Sequence, residues 1–448
     1  MRRWVAVTAL LVIACAGAGA GAATYYVATD GNDANPGTVD APFLTPKKAL
    51  VDTVLVDGDL VVFRQGTYQM KLVRPAVRPD AQDYVTIMSY PGERALLNSS
   101  ATYGAWEVRD ALGRDRFWKF VNLDFTGPKG FNTEYHCEDI WFEDCNFVNC
   151  LYGIRNASGT LPKNWTIKNC TFADCRIGIN AGGVENILIE DCSGTGRWPA
   201  ELIPDNTDGV MISGTGSCIV RRCTFNGYSD GAYDIKHDGA LITDCIGFGN
   251  GNQGFKIWGQ GSVITNCLAY GNTYSGFLLA ANGKRMVNCT SAGNGTDAVR
   301  PQSSAGYGDK LQLATVFVEN CLFVGRIQNY LGDSLWNSDR TCYWMPGVTS
   351  DTIWWHGDNI NLRWSELLAG LVTFTRSLCA DPQLGADWLP MPGSPAVGYG
   401  YGGALVLPPA DPPPVEPPPG PSLTPEDRQT LDELRELLNT LKALFGGQ

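Results

Sequence analysis

A cysteine recurs along most of this chain at intervals close to 22 residues. Each copy follows an acidic, asparagine or arginine residue and ends a short aliphatic run, as in ALITDC (240–245) and SVITNC (262–267). The gaps between successive copies are 25, 22, 31, 22, 22, 22 and 32 residues, and the copies are Cys145, Cys170, Cys192, Cys223, Cys245, Cys267, Cys289 and Cys321. A period of this length with occasional insertions is typical of a solenoid.

Gly-Asn pairs follow three of these cysteines at a constant offset, at Gly249-Asn250, Gly271-Asn272 and Gly293-Asn294. Gly and Asn tolerate the left-handed conformation that a sharp corner needs, and stacked Asn side chains can hydrogen-bond from coil to coil. Short strands of alternating polarity joined by such corners predict an all-β chain. We expect a right-handed parallel β-helix with rungs of about 22 residues.

The repeated cysteines are predicted to form an inward ladder of small hydrophobic side chains, one per rung, that pack without bonding. Exported proteins often carry disulfides, so oxidation is the alternative. It applies best to the pairs Cys145/Cys150, Cys170/Cys175 and Cys218/Cys223.

The N-terminal segment, residues 1–23, has two arginines, an apolar run and then small residues, which is typical of an export signal. The apolar run is too short to serve as a transmembrane span. The sequence VIAC, ending at Cys15, also fits a bacterial lipoprotein signal. We therefore expect a secreted, periplasmic or extracellular protein, either released by cleavage or anchored by a lipid on Cys15.

The rest of the chain divides by composition into three parts. Residues 24–407 are predicted to be the β-helix domain, and residues 408–422 form a stiff proline-rich linker. Residues 423–448 carry a 3-4 spaced apolar stripe and predict a short amphipathic helix suited to weak oligomerisation or surface docking.

The chain carries a formal charge of −12. An acidic surface with few Lys and Arg is a poor match for nucleic acid, whose binding rests on phosphate contacts. A polyanionic partner would need a bridging metal ion.

Charged residues of neighbouring repeats fall at matching distances from the cysteines. Counting eleven residues back from Cys245, Cys267 and Cys289 gives Asp234, Lys256 and Leu278, and counting fifteen back from Cys223, Cys245 and Cys267 gives Asp208, Asp230 and Asn252. In the strands AYDI (232–235) and GFKI (254–257), the third residue lies between two inward apolar residues and is predicted to face outward.

Two interpretations of this outer patch are open. A surface ion pair between Lys256 and Asp234 would contribute less than ~1 kcal/mol. Alternatively, Asp208 and Asp230 add more negative charge than one lysine neutralises, and excess oxygen ligands on a rigid face suit Ca²⁺.

The segments TDGV (207–210), SDGAYD (229–234) and NGNQGFKIWG (250–259) together resemble polysaccharide lyase family nine, the pectate lyases of exported bacterial β-helix proteins. The resemblance implies that Asp208, Asp230 and Asp234 are calcium ligands and that Lys256 is the Brønsted base. One position departs from the family pattern, because Gly231 stands where a second acid is expected. A backbone carbonyl, a water or Asp205 would have to replace it.

The resemblance implies a calcium-dependent lyase that cleaves polygalacturonate, an acidic polysaccharide, by β-elimination. Tyr233, Trp258 and Tyr274 are candidate sugar-binding residues, and each could equally be an ordinary aromatic. The alternatives are a non-catalytic adhesin or polysaccharide-binding protein, and a polygalacturonase-type hydrolase that activates water with paired acids. The hydrolases carry an Asp-Asp pair, a Gly-His-Gly and an Arg-Ile-Lys, and this sequence has none of the three. The segments 24–50 and 381–400 resemble the opening, with a capping helix, and the closing of such β-helix domains.

Overall fold

The computed structural model describes residues 22–401 with gaps at 71–72, 74, 77, 100–105, 109–114, 134–136, 157–161, 198–206, 281, 303–314, 330–334, 345–351, 357–359, 364–371, 376–377, 380 and 387. The predicted export signal up to residue 21, the proline-rich linker and the C-terminal helix therefore lie outside the described residues. So does Asp205, one of the residues expected to compensate for Gly231.

Parallel strands wind through three faces of a β-helix, and they are numbered here in chain order. The first face contains β1 (Thr24–Val27), β2 (Leu60–Phe63), β4 (Val85–Ser89), β7 (Asp115–Val121), β10 (Cys137–Glu143), β13 (Lys163–Lys168), β20 (Leu241–Thr243), β23 (Val263–Thr265), β26 (Lys284–Val287), β29 (Thr315–Glu319), β32 (Leu335–Asp339) and β36 (Val372–Thr375).

The second face contains β3 (Gly66–Gln69), β5 (Ala95–Asn98), β8 (Leu123–Thr126), β11 (Asn146–Val148), β14 (Thr171–Ala173), β16 (Ser193–Thr195), β18 (Thr224–Asn226), β21 (Ile246–Phe248), β24 (Leu268–Tyr270), β27 (Thr290–Ala292), β30 (Leu322–Val324), β33 (Cys342–Trp344) and β37 (Leu378–Cys379). Each strand pairs in parallel with its equivalent on the next rung, as β21 does with β24.

The third face contains β6 (Trp106–Val108), β9 (Lys129–Thr133), β12 (Tyr152–Asn156), β19 (Gly231–His237), β22 (Gln253–Ile257), β25 (Ser275–Ala280), β28 (Asp297–Gln302), β31 (Arg326–Asn329), β34 (Thr352–His356) and β35 (Ile360–Arg363). Two long strands, β15 (Ile177–Glu190) and β17 (Asp208–Arg221), begin on the third face and continue onto the first. Only β34 and β35 pair antiparallel among the strands described. A short helix, Lys48–Asp52, lies near the N-terminal end, where a capping helix was expected.

The 22-residue period is confirmed by the strand register. On the third face, Gly231 pairs with Gln253, Gln253 with Ser275, and Ser275 with Asp297, each step being 22 residues. Along these rungs, each outward position therefore lies beside its counterpart on the next rung, roughly 4.8 Å away.

The residue before each repeated cysteine has a left-handed backbone. The φ values range from 49° to 56° at Asp144, Asn169, Asp191, Arg222, Asp244, Asn266, Asn288 and Asn320. Asp and Asn tolerate this conformation better than most residues, which explains why they precede the cysteine. The Gly-Asn corners behave as predicted: Gly271 has a φ of 61°, and Asn250 Nδ2 donates to Asn272 Oδ1 at 2.8 Å.

The cysteine ladder faces the core, as predicted. Thirteen cysteines of the described residues are buried and free, including both members of each pair for which a disulfide was the alternative. The Cys245 thiol lies 3.5 Å from the carbonyl oxygen of Val220 on the preceding rung. Stacked aromatic rings form a second internal ladder, with Phe255 and Phe277 centred 4.8 Å apart.

The segment from residue 381 packs against the outside of the second face. Trp388 stacks on Tyr270 with ring centres 5.5 Å apart. Asn320 Nδ2 donates to the Gly398 carbonyl at 3.0 Å, and the Tyr401 N–H donates to Thr290 Oγ1 at 2.8 Å. This segment therefore packs along the side of the second face.

Candidate functional site

One outward column of the third face carries the predicted base. The register places Met211, Asp234, Lys256, Leu278 and Arg300 side by side on β17, β19, β22, β25 and β28. We call these five residues the lysine column. Inward neighbours anchor the strand on each side of Lys256, because Phe255 and Ile257 are fully buried. The predicted alignment of Asp234 with Lys256 is therefore confirmed.

The predicted alignment of Asp208 with Asp230 is wrong by one residue. Asp208 pairs with Gly231, while the Thr207 carbonyl accepts the N–H of Asp230. The cause is one extra residue in β17: four residues lie between Gly214 and Ile219, whereas three lie between their partners, His237 and Leu241. Counting back from Cys223 therefore misaligns every residue that precedes this insertion.

The three predicted aspartates nevertheless converge on Lys256. Its Nζ lies 2.5 Å from Asp230 Oδ2, 2.8 Å from Asp208 Oδ1 and 3.5 Å from Asp234 Oδ2. We call these four residues the acid cluster. They come from β17, the turn before β19, β19 and β22, so three consecutive rungs build the cluster.

The acid cluster is buried, so the interpretation as a surface ion pair is wrong. The Asp208 side chain is fully buried, whereas Asp230 and Lys256 keep 11% and 6% of theirs exposed. Lys256 also contacts Asp230 and Asp208 more closely than Asp234, the partner that the sequence suggested.

Burial and charge act in opposite directions within the cluster. Burial lowers the pKa of Lys256, but the charges of Asp208, Asp234 and Asp230 outweigh it and hold the pKa well above its usual value. Burial raises the pKa of Asp208 to about 7, against the lowering effect of the Lys256 charge. The amine is therefore held as an ammonium by its three carboxylates.

Two polar neighbours complete the cluster, and the sequence analysis did not assign either of them. Lys236 Nζ donates to Asp234 Oδ2 at 2.8 Å, and Asn252 Nδ2 donates to Asp230 Oδ1 at 3.0 Å. Lys236 follows Asp234 by two residues in the same strand, so strand alternation alone places both on the outer side. That signal was present in the sequence.

The donor chemistry of the site suits calcium. Within the part of the chain that the structure describes, the buried oxygens Asp208 Oδ2 and Asp234 Oδ1 have no hydrogen-bond partner, and carboxylate oxygens are ligands that Ca²⁺ prefers. The carboxylates, however, converge on Lys256 Nζ. Among the described residues, no three Asp, Glu, His or Cys side chains are arranged around a common metal position. A metal ion and the Lys256 ammonium would therefore compete for the same oxygens.

Gly231 faces this cluster from the middle rung. A Cβ at this position would lie 3.1 Å from Asp208 Oδ1 and 3.2 Å from Lys256 Cε. An acid here would reach directly into the cluster, so its absence removes one charge from the centre of the site.

Tyr233 is a core residue, and its assignment as a sugar-binding residue is wrong. Its ring is fully buried and stacks on Phe255 at 4.6 Å, and its hydroxyl donates to the carbonyls of Cys223 and Ile246. It is the second residue of AYDI, a position that strand alternation places inside.

The other two aromatic candidates lie near the outer surface. Trp258 directly follows β22, is half-buried, and donates its backbone N–H to the Ile235 carbonyl. Tyr274 is half-buried, and the guanidinium carbon of Arg300 lies 5.2 Å from the centre of its ring. A sugar-binding role for either residue stays a prediction.

No helix of the described residues has the length and apolar character needed to span a membrane.

Comparison with protein families gives one match. Residues 25–306 match the Pel9A-like right-handed β-helix region, which covers more than half of the chain and agrees with the predicted hand of the coil. No curated protein sequence matches this chain.

Several solved structures are similar to this chain at low sequence identity. The A-module of a mannuronan C-5 epimerase from Azotobacter vinelandii is 13% identical, with a TM-score of 0.50, over 72% of this chain and 91% of that one. Pectate lyase Pel9A is 18% identical, with a TM-score of 0.48, over 84% and 91%. A rhamnogalacturonan lyase is 15% identical, with a TM-score of 0.38, over 80% and 87%.

Proposed function

The chain belongs to the Pel9A-like right-handed β-helix family, and from this premise we propose that it cleaves an acidic polysaccharide by β-elimination. The proposed substrate is polygalacturonate, the proposed base is Lys256, and the proposed cofactor is Ca²⁺. The observation that carries the proposal is the contact of one buried lysine with three aspartates on the outer side of a rigid face.

Elimination requires a base near the C5 hydrogen of a uronate and a way to stabilise the negative charge that then develops on its carboxylate. Neutral Lys256 Nζ would take the C5 proton, and the electrons of that C–H bond would form the C4–C5 double bond. The bond from C4 to the glycosidic oxygen would break, and the departing oxygen would take a proton from solvent. The products are an unsaturated uronate and a new chain end.

The aspartates determine when Lys256 can act. In the arrangement described, they hold the amine protonated, so the lysine cannot accept a proton. A bound Ca²⁺ would supply Lewis-acid stabilisation of the substrate carboxylate and neutralise the charge of its ligands. Asp208, Asp230 and Asp234 are the residues that would hold it. With their charge neutralised, the buried Lys256 would lose its proton more readily, which predicts activity only with calcium and at alkaline pH.

The direct test is incubation with polygalacturonate at alkaline pH, with Ca²⁺ or with a chelator, while the absorbance of the unsaturated product is followed. We expect product only with calcium, and none from Lys256→Ala. Lys163→Ala is the matched control, because Lys163 forms a 2.7 Å ion pair with Glu185 away from the site. Reducing ends without that absorbance would favour a hydrolase. Binding without cleavage would favour an adhesin or polysaccharide-binding protein.

We also propose that the protein is exported, because residues 1–23 carry the pattern of an export signal. Mass spectrometry of the mature N-terminus distinguishes cleavage near residue 22 from a lipid-modified Cys15. Deleting residues 423–448 and measuring the mass in solution tests whether the predicted helix promotes oligomerisation.

A further inference from the structure

A second charged cluster lies on the third face, two rungs beyond Lys256. Arg300 ends the lysine column, and its guanidinium lies over the ring of Tyr274. Nearby, Arg326 Nε donates to Asp297 Oδ1 at 2.6 Å. Two guanidiniums and the Asp297 carboxylate therefore lie at this end of the face.

Arg300 is placed to bind an anion while it keeps its protein contacts. It is half-buried, so part of its surface meets solvent. A guanidinium has five N–H donors in a planar fork that matches a carboxylate, and it can hold a protein partner and a ligand together. The Tyr274 ring restricts the guanidinium through a cation–π contact, which reduces the entropy lost on binding.

The distance along the face suits a polysaccharide. Lys256, Leu278 and Arg300 lie on consecutive rungs, so Arg300 is about 10 Å from Lys256 along the helix axis. A 1,4-linked pyranose chain advances by a length close to one rung spacing per sugar. A chain that follows the lysine column would bring its second sugar beyond Lys256 to Arg300.

We infer that Arg300, oriented by Tyr274, forms a binding subsite for the carboxylate of a uronate two sugars away from the residue at Lys256. This inference rests on the proposed function for the position of the reacting sugar. It makes Tyr274 a residue that positions Arg300, because the guanidinium already covers one face of the ring. The subsite selects an acidic sugar at this position over a neutral one.

The test compares three proteins that all carry Lys256→Gln, which prevents turnover: one with Arg300 retained, one with Arg300→Gln and one with Arg300→Lys. Calorimetry in the presence of calcium measures the affinity of each for tetragalacturonate and for its carboxyl-reduced, neutral counterpart. We expect Arg300→Gln to weaken binding of the acidic oligomer about 10- to 100-fold, the effect of losing a charged hydrogen-bonding partner. Arg300→Lys should recover part of the loss, and the neutral oligomer should bind equally to all three proteins.

Arg285→Gln is the matched control, because Arg285 forms a 2.9 Å ion pair with Glu319 and is similarly half-buried on the first face. In otherwise unsubstituted protein, Arg300→Gln should raise KM for polygalacturonate and change kcat little. If Arg300→Gln binds the acidic oligomer as tightly as the protein with Arg300, and the protein with Lys256 cleaves polygalacturonate, the subsite is overturned and the proposed function stands. Binding that depends on Arg300 without unsaturated product overturns the proposed function alone. Failure to bind the acidic oligomer overturns both.

Discussion

Replacing Lys256 by Met should destabilise the protein and yet strengthen its binding of calcium. Met has a similar length and no charge, so the change removes the ammonium and leaves Asp208, Asp230 and Asp234 buried without it. Removing one partner of a buried ion pair typically costs about 3–5 kcal/mol. The unfolding entropy is about 2.1 cal/mol/K per residue, which for roughly 380 residues gives a Tm lower by about 4–6 °C.

The dependence on calcium and pH follows from the same charges. Without the competing ammonium, Ca²⁺ should bind the variant at least ~10-fold more tightly than it binds the unsubstituted protein, and raise the variant's Tm more. The destabilisation should shrink as the pH falls, because the Lys256 charge lowers the pKa of Asp208, and its loss moves that pKa above the value of about 7 that it has beside Lys256. Asp208 then takes up a proton more readily and removes one of the three charges.

Thermal unfolding at pH 8 and pH 5.5, with excess Ca²⁺ or with a chelator, measures these effects, and calorimetry gives the calcium affinity. Lys163→Met is the control for loss of an exposed lysine. A Tm equal to that of the unsubstituted protein would show that Lys256 does not stabilise the buried carboxylates. Weaker calcium binding in Lys256→Met would show that the three aspartates are not the ligands.

Three further predictions test other parts of the structure. Gly231→Asp should bind calcium about 10-fold more tightly than Gly231→Ala, because ligand charge sets the affinity of such sites. Calorimetry measures both affinities, and equal values would contradict the prediction. Lys284 lies in the core, where burial lowers its pKa to about 7 despite the nearby charge of Asp238. The folded state therefore disfavours the ammonium, and the free energy of unfolding should rise by up to about 5 kcal/mol between pH 7 and pH 10.5 relative to Lys284→Met, as measured by denaturant unfolding. Tyr233→Phe should lower stability by about 1–2 kcal/mol through the loss of two hydrogen bonds and leave KM unchanged, whereas a raised KM would restore its assignment as a sugar-binding residue.

The fold could be predicted from the sequence because its determinants are local. Each rung needs a left-handed residue before its cysteine, and a left-handed glycine at the next corner where the Gly-Asn pair occurs. Only a few residue types satisfy these positions, so Asn266 and Gly271 mark the period in the sequence itself. Burial could not be predicted in the same way. Alternation shows that Lys256 leaves the strand on the outer side, but three carboxylates from two other rungs then bury it.

The errors at the site also have physical causes. A single extra residue in β17 shifts Asp208 by one position. Counting back from Cys223 cannot show whether that extra residue lies before or after Asp208. Tyr233 has a side chain that can stack on a sugar, but strand alternation places it inside, so its position decides its role. Arg300 follows Leu278 in the lysine column, but the 32-residue gap from Cys289 to Cys321 means that counting back from Cys321 does not reach it.

The acid cluster accounts for why a lysine can serve as a base on this face only under restricted conditions. Three carboxylates stabilise the ammonium more than burial destabilises it, so the resting amine is protonated. Any cation that takes over the charge of those carboxylates removes the stabilisation and leaves burial, which favours the neutral amine. With Gly231 in place of an acid, one carboxylate fewer is available to bind such a cation. The glycine therefore lowers the calcium affinity of the site. It also lowers the carboxylate charge that must be neutralised before Lys256 can release its proton.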